Sequence, residues 1–311
     1  MASPSIAVVL PCLNEEAAVA GVVAAFRKEL PAARIYVYDN ASTDGTARIA
    51  AAAGAIVRRE PTPGKGNALT RAFADIDADI YVVADGDGTY DAGAAPAMIE
   101  RLRADTLDMV VGVRAASSAA AYRPGHAFGN QVFSGVFRTL FNTTYTDVLS
   151  GYRVLSRRFV KSFPSRARGF EIEIEMSAHA ALLRIPVAEI ETAYAPRSKG
   201  GASKLNTFSD GARILRRMFR FLRLHRPRYV YGLGGIFLVG VAGILFIPIL
   251  VEFLQTGLVP RFPTLIVSAA VALAGLASFA AGAILDSQAQ HFAETKRLAY
   301  LRLPAPSGQG A

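Results

Sequence analysis

Asp85 and Asp87, separated by Gly86, follow directly on the apolar stretch Ile80–Ala84. Two carboxylates at that spacing in an extended turn can both face one hard divalent cation, and Mg²⁺ takes a few carboxylates together with phosphate oxygens. An acidic turn without metal is the plain alternative. An EF-hand is excluded, because Tyr90 stands where that loop needs glycine and no glutamate falls at its twelfth position. Two further polar clusters close apolar runs in the same way. Ser5–Leu10 leads into Pro11-Cys12-Leu13-Asn14-Glu15, and Arg34–Tyr38 into Asp39-Asn40-Ala41-Ser42-Thr43-Asp44-Gly45. Four scattered histidines and one cysteine, Cys12, offer no metal-ligand spacing, no multi-cysteine zinc site and no internal disulfide. No strand is followed by G-x-G-x-x-G and no G-x-x-x-x-G-K-[ST] occurs, so dinucleotide and Walker-type phosphate sites find no support.

These clusters need a frame, and the N-terminal pattern supplies one. Strand signals at Ser5–Leu10, Arg34–Tyr38, Ala55–Arg58, Ile80–Ala84 and Met109–Val113 alternate with helix signals at Glu15–Leu30, Thr43–Ala53, Lys65–Ala74 and Ala92–Ala104. Such alternation predicts βαβ units and an α/β fold with a doubly wound, mainly parallel sheet. Ligands of such sheets bind beyond the carboxyl ends of the strands, which is where all three polar clusters fall.

The last third differs in kind. Residues 1–210 carry 23 Lys/Arg against 22 Asp/Glu, whereas residues 211–311 carry 11 against three. The basic excess therefore lies outside the α/β region, which argues against nucleic acid as partner and for a membrane surface with an anionic leaflet. Tyr229–Val251 holds 23 residues without a charge, about 34 Å of helix, and Phe262–Leu285 is a second such stretch. Two transmembrane helices, about 229–251 and 262–285, are expected within a hairpin spanning 229–290. Residues 206–228 carry seven arginines, from Arg213 to Arg228, interleaved with Phe208, Leu215, Met218 and Leu222 at helical steps, an amphipathic juxtamembrane helix in the headgroup layer. Arginines before the first span and Lys296, Arg297 and Arg302 after the second are expected to place both termini, the α/β domain (residues 1–205) and the tail (residues 291–311) in the cytoplasm. No signal peptide is expected, since Met1–Leu10 has no basic n-region and Pro11 breaks its apolar run. Gly232, Gly235 and Gly240 permit close helix packing and a homo-oligomer.

Eight segments occur in order: PCLNEE (11–16), DNASTDGT (39–46), GKGNAL (64–69), ADGDGTYD (84–91), VGVR (111–114), DVLSGYR (147–153), GFEIEIEM (169–176) and R-x-x-G-G-x-S-K (197–204). Together they resemble glycosyltransferase family 2, in its polyprenyl-phosphate branch of dolichyl-phosphate mannose and glucose synthases. The resemblance covers about residues 5–210, and two C-terminal spans match the membrane-anchored members. It implies a GT-A-type fold and inverting, metal-dependent transfer of a hexose from a nucleotide sugar to a polyprenyl phosphate, undecaprenyl or dolichyl. A UDP-sugar is favoured, with GDP-mannose as the alternative. Pro11, Asn14, Glu15, Asp39, Asn40 and Asp44 match the segments that bind base and ribose, and Lys65 matches a basic residue near the nucleotide. Asp85-Gly86-Asp87 matches the D-x-D motif that holds Mg²⁺ or Mn²⁺ on the donor diphosphate. Arg114 and Arg123 match arginines that gather the acceptor phosphate, Arg197 and Lys204 the basic pair that closes over phosphates, and Asp147 the acidic residue proposed as catalytic base.

Two departures stand out: Thr89 occupies a position where relatives often place Gln as a further metal ligand, and Ala115–Ala121 is bland where a catalytic loop is expected. An acceptor phosphate is already an anion at pH 7, so Asp147 is expected to orient groups or stabilise positive character at the anomeric carbon more than to remove a proton. Two other readings stay open. A processive polysaccharide synthase would usually carry Q-x-x-R-W, and this chain has no tryptophan. A catalytically silent membrane adaptor would have little need of intact D-x-D and R-x-x-G-G-x-S-K segments.

Overall fold

The computed structural model describes residues 4–115, 134–139, 141–165, 167–169, 171–195, 219, 222–223 and 226–306. The chain divides into two units, Met1–Leu205 with Lys296–Ala311, and Asn206–Thr295. In the first, a sheet of seven strands runs β3-β2-β1-β4-β6-β5-β7. The strands are β1 (Ile6–Cys12), β2 (Arg34–Asp39), β3 (Ile56–Arg59), β4 (Ile80–Val83), β5 (Met109–Arg114), β6 (Arg153–Ser156) and β7 (Val187–Thr192). All pairings are parallel except those of β6, which lies antiparallel between β4 and β5. The helices are α1 (Val19–Glu29), α2 (Thr46–Ala52), α3 (Lys65–Asp75), α4 (Ala95–Ala104, preceded by a 3₁₀ turn at Ala92–Ala94), α5 (Arg157–Ser162) and α6 (Ile172–Leu183).

Strands covered on both faces explain the unbroken apolar runs. Along β1, Ala7 and Val9 join a core with Tyr81, Met109 and Leu155, roofed by side chains of α3, α5 and α6. Val8, Leu10 and Cys12 face the other way, into a core with Val82, Val110 and Val154 closed by α1 and α4. The mainly parallel, doubly wound sheet is therefore present, with one antiparallel insertion.

Two boundaries differ from expectation for identifiable reasons. β1 continues through Pro11 to Cys12, because its pairing with β4 stops at Val9 and the missing N–H of Pro11 is not needed there. α1 begins at Val19 rather than Glu15: the amides of Glu15 and Glu16 are spent on Thr46 Oγ1 (2.8 Å) and Asp44 Oδ2 (3.2 Å), which holds them in a turn ahead of the helix.

Lys296–Leu303 belong to the first unit. Tyr300 packs against its core and donates its hydroxyl to Asp108 Oδ2 (2.7 Å), while Arg297 donates to the Leu183 carbonyl (2.8 Å).

The second unit contains most of two long helices, α7 (Pro227–Thr256) and α8 (Phe262–Leu301). Both are long and apolar enough to cross a membrane, and most of their apolar side chains are exposed, unlike core helices of a soluble domain. Glycines set their spacing: a Cβ on Gly235 would come within 2.9 Å of the Phe279 ring, and one on Gly275 within 2.8 Å of Val239. Ser278 adds a hydrogen bond to the Tyr231 carbonyl (2.8 Å). Small residues at such contacts allow backbones to approach closely. The juxtamembrane stretch 206–228 lies almost wholly outside the described residues.

Candidate active site

The carboxyl ends of β1 and β2 are joined by hydrogen bonds between their own loops. Asn14 adopts a left-handed backbone (φ 56°), which places its side-chain oxygen to accept from the Thr43 amide (2.8 Å), while its amide donates to Ser42 Oγ (3.0 Å). Asp44 Oδ1 accepts from the Thr46 amide and hydroxyl (2.9 and 2.5 Å). Slight burial would raise the Asp44 carboxyl, but these bonds to Thr46 outweigh it and hold the group below its ordinary value. Asn40 donates to the carbonyls of Glu60 (3.3 Å) and Thr62 (2.7 Å) and accepts from the Gly64 amide (2.6 Å), fixing the approach to α3. Asp39 is buried and accepts from the Ser42 amide (3.3 Å). Pro11, Glu15 and these groups therefore lie along one edge of the sheet, with Asn14, Asn40 and Asp44 committed to shaping it.

Charge concentrates at the end of β4. Asp87 Oδ1 accepts from both the amide (3.1 Å) and hydroxyl (2.7 Å) of Thr89. Thr89 thus orients a carboxylate from a position where a further metal ligand would otherwise be sought. Gly86 between the carboxylates admits no side chain, since a Cβ would meet Cys12 Sγ at 2.2 Å. Burial pushes that thiol up, helped by the charges of Glu15 and Asp85, so Cys12 is a neutral floor beneath the turn. Lys65, first residue of α3, is buried and ion-paired with Asp85 and with Glu173 Oε1 (2.6 Å). Burial alone would lower the lysine, but the carboxylates of Asp85 and Glu173 more than reverse that and keep it charged. Glu173 lies in the first turn of α6, where the helix dipole favours an acid. Burial raises its carboxyl; the Lys65 charge opposes that shift and the Asp85 charge adds to it.

Glycines make this cluster feasible. A Cβ on Gly151 would stand 2.7 Å from Lys65 Nζ, and Cβ atoms on Gly64 and Gly66 would strike the carbonyls of Arg168 and Ala167 at 2.0 and 2.2 Å.

Beyond β5, Arg114 grips Asp147 in a bidentate pair, Nε to Oδ2 and Nη2 to Oδ1, both 2.7 Å. Its guanidinium lies 5.6 Å from the centre of the Tyr194 ring. Glu189 of β7 braces the Asp147 loop through the Thr146 amide (2.9 Å) and hydroxyl (2.8 Å). A buried cation stands behind this loop: Arg153 donates to the carbonyls of Ser150 (3.0 Å) and Val148 (2.9 Å) and to Ser177 Oγ (3.0 Å). Arg123, Arg197 and Lys204 lie outside the described residues.

Of the residues singled out by sequence, the structure gathers Lys65, Asp85 and Asp87 around one turn and pairs Arg114 with Asp147. Glu173, Arg153 and Tyr90, whose hydroxyl accepts from the Gly151 amide (2.9 Å), were not singled out. A signal for Glu173 was available: an acid flanked by Ile172 and Ile174 in a mostly apolar helix must find a cation if it is buried. Asp85 and Asp87 suit a divalent cation by donor chemistry, two hard carboxylate groups one residue apart on a rigid turn. Among the described residues no cluster of three metal-ligating side chains occurs, so Asp85 and Asp87 are the pair that a cation here would use.

Residues 7–163 match the family described as glycosyl transferase family 2. Glycosyltransferase AglJ of Haloferax volcanii is 32% identical over 237 residues, covering 74% of this chain and 76% of that protein. A dolichyl-phosphate hexose transferase of the same organism is 27% identical over 209 residues, covering 67% and 90%. Glucosyl-3-phosphoglycerate synthase from Mycobacterium tuberculosis, solved in complex with Mn²⁺ and UDP-glucose, superposes with a TM-score of 0.56 at 23% identity, covering 71% of this chain and 78% of that one. That likeness establishes a GT-A-like mixed sheet with flanking helices.

Proposed function

Because the chain belongs to glycosyl transferase family 2 and is a glycosyltransferase, we propose that it transfers a hexose from a nucleotide sugar to a polyprenyl phosphate at the cytoplasmic face of a membrane, with inversion at the anomeric carbon. The observation that carries this reading is a buried lysine, Lys65, set against an acidic D-G-D turn in a chain that also has two long, exposed apolar helices. The turn suits a diphosphate donor and the helices suit a lipid acceptor. The named hexose transferase from Haloferax volcanii supports the acceptor, and the synthase bound to Mn²⁺ and UDP-glucose supports a UDP-sugar and a divalent cation, Mg²⁺ or Mn²⁺.

Loss of the diphosphate leaves negative charge on the leaving group, and fixed positive charge stabilises it. A cation held by Asp85 and Asp87 would offset part of that charge. Lys65 adds an ammonium that cannot drift, and Thr89 keeps Asp87 in one orientation. A lipid phosphate arrives already ionised, so no strong base is required. Asp147, with both oxygens engaged by Arg114, serves to aim that guanidinium at an incoming phosphate. Arg123, Arg197 and Lys204 remain proposed phosphate contacts on sequence grounds, and Pro11, Asn14, Glu15, Asp39, Asn40 and Asp44 the proposed lining for the nucleoside. The Arg-rich stretch 206–228 is proposed to hold the site at headgroup depth.

The test is a screen of radiolabelled UDP- and GDP-sugars against undecaprenyl phosphate in liposomes, scored by label entering the lipid phase. Acid-labile label on the lipid is expected. Label appearing only in a water-soluble polymer would overturn the acceptor assignment, and no transfer with any donor would overturn the whole reading.

A further inference from the structure

One buried group in the site has no role in the scheme above. Glu173 reaches from α6 to Lys65 with Oε1 at 2.6 Å, and its Oε2 is buried with no hydrogen-bond partner among the described residues. Lys65 also contacts Asp85 Oδ1, so one ammonium bridges a carboxylate of the metal turn and a carboxylate behind it. The lysine has little freedom to leave. Gly64 and Gly66 on either side of it press against the backbone at 167–168, and Gly151 closes over its Nζ.

An ammonium and a divalent cation compete for the same carboxylate oxygens, and in a buried site the competition is only weakly screened. We propose that Glu173 is a positioning residue: by drawing the Lys65 ammonium toward itself it frees Asp85 for a divalent cation, so that lysine and cation can act side by side. The spare Oε2 gives Glu173 capacity to take a larger share of the ammonium once Asp85 turns to a cation. Without Glu173 the lysine would lean more heavily on Asp85 and behave as an internal inhibitor of cation binding. This inference rests on the reading of Asp85 and Asp87 as cation ligands.

The test uses the full chain in detergent, with Mn²⁺ titrated by electron paramagnetic resonance in the presence of saturating UDP or GDP. Glu173→Gln is expected to weaken Mn²⁺ binding about tenfold. The double variant Glu173→Gln/Lys65→Met is expected to recover wild-type affinity or better, because the competitor is gone. A structural role for Glu173 would not produce that recovery. Unchanged Mn²⁺ affinity in Glu173→Gln overturns the proposal. So does a double variant as weak as the single one, which would make Glu173 a through-space charge rather than a holder of Lys65. Should Glu173→Gln not fold, Glu173→Asp with and without Lys65→Met decides in the same manner: a loss seen only with Lys65 present supports it, and an equal loss in both overturns it. Wild type failing to bind Mn²⁺ with either nucleotide would remove the cation reading together with this inference, whereas wild-type binding with no recovery removes this inference alone.

Discussion

Asn40 and Lys65 stand at the same edge of the sheet, yet they are held by opposite means. Around Asn40, Asn14 and Asp44, hydrogen bonds run from side chain to loop backbone, and Asn40 by itself makes three of them to the segment that leads into α3. Around Lys65 the partners are charges, two carboxylates on one ammonium, with one carboxylate oxygen left over. The first arrangement is complete without a ligand and serves as a mould. The second is balanced only provisionally, because a diphosphate or a cation would redistribute its charges. Substitutions in the mould should therefore cost stability first, and substitutions in the charged cluster should cost transfer first.

The largest expected effect tests the charged side. Asp85→Asn or Asp87→Asn should lower kcat/KM for sugar transfer at least a hundredfold, about 2.7 kcal/mol in the barrier, while thermal melting stays close to wild type. EDTA should reproduce that loss in the wild type, and added Mg²⁺ or Mn²⁺ should restore it. A loss under tenfold would show that the turn holds no essential cation and would erase the distinction drawn between the two regions.

The next effect belongs to the mould. Asn40→Ala removes three hydrogen bonds from a buried site, depriving two carbonyls and an amide of this partner, and should destabilise the N-terminal unit by about 2–3 kcal/mol. Residual activity per folded molecule should fall less than in the aspartate variants, most of it through KM for the donor. Chemical denaturation in detergent alongside initial-rate measurements separates the two. An Asn40→Ala protein as stable as wild type would mean that these bonds are not what holds the loops.

The same contrast explains what could be read in advance. Strands β1, β2, β4 and β5 are apolar runs because both faces are covered, and the runs of β1, β2 and β4 each end at a polar cluster, so the parallel sheet and Asp85-Gly86-Asp87 were visible from spacing. β6 was not, since Arg153–Ser156 is a short strand whose antiparallel place between β4 and β5 depends on distant partners. α6 escaped as well: it is buried nearly all round, so no apolar stripe marks it. Pairings between remote charges leave no local pattern. Nothing near Lys65 in the chain points to Glu173, and nothing near Arg114 points to Asp147, although each belonged to a segment already notable by resemblance. Thr89 looked like a missing metal ligand and is the residue that aims Asp87.

The smallest predicted effect asks what burial does to a titratable group that lacks a counter-ion. His179 lies on α6, one face of the helix away from the charged site, with the rings of Phe159 and Phe163 edge-on to it and Nε2 bonded to Ser162 Oγ (3.2 Å). Its Nδ1 is buried without a partner among the described residues. Burial pushes this histidine down to about 3, with the Lys296 charge adding to the shift, so it stays neutral where Glu173 keeps Lys65 as a partner. In the unfolded chain it titrates near 6.5. The folded pKa is the lower one, so the unfolded state takes up the proton first. Stability is then full above pH 6.5 and is lost as pH falls from there toward 3. Between pH 6.5 and 5.5 the loss should be about 1 kcal/mol. Melting curves across that range should show the decline in wild type and a shallower one in His179→Gln, which keeps a side chain able to bond Ser162 but cannot titrate. Equal slopes in the two proteins would mean that His179 is hydrated or paired in solution, and that burial without a counter-ion does not hold the neutral form at this end of α6.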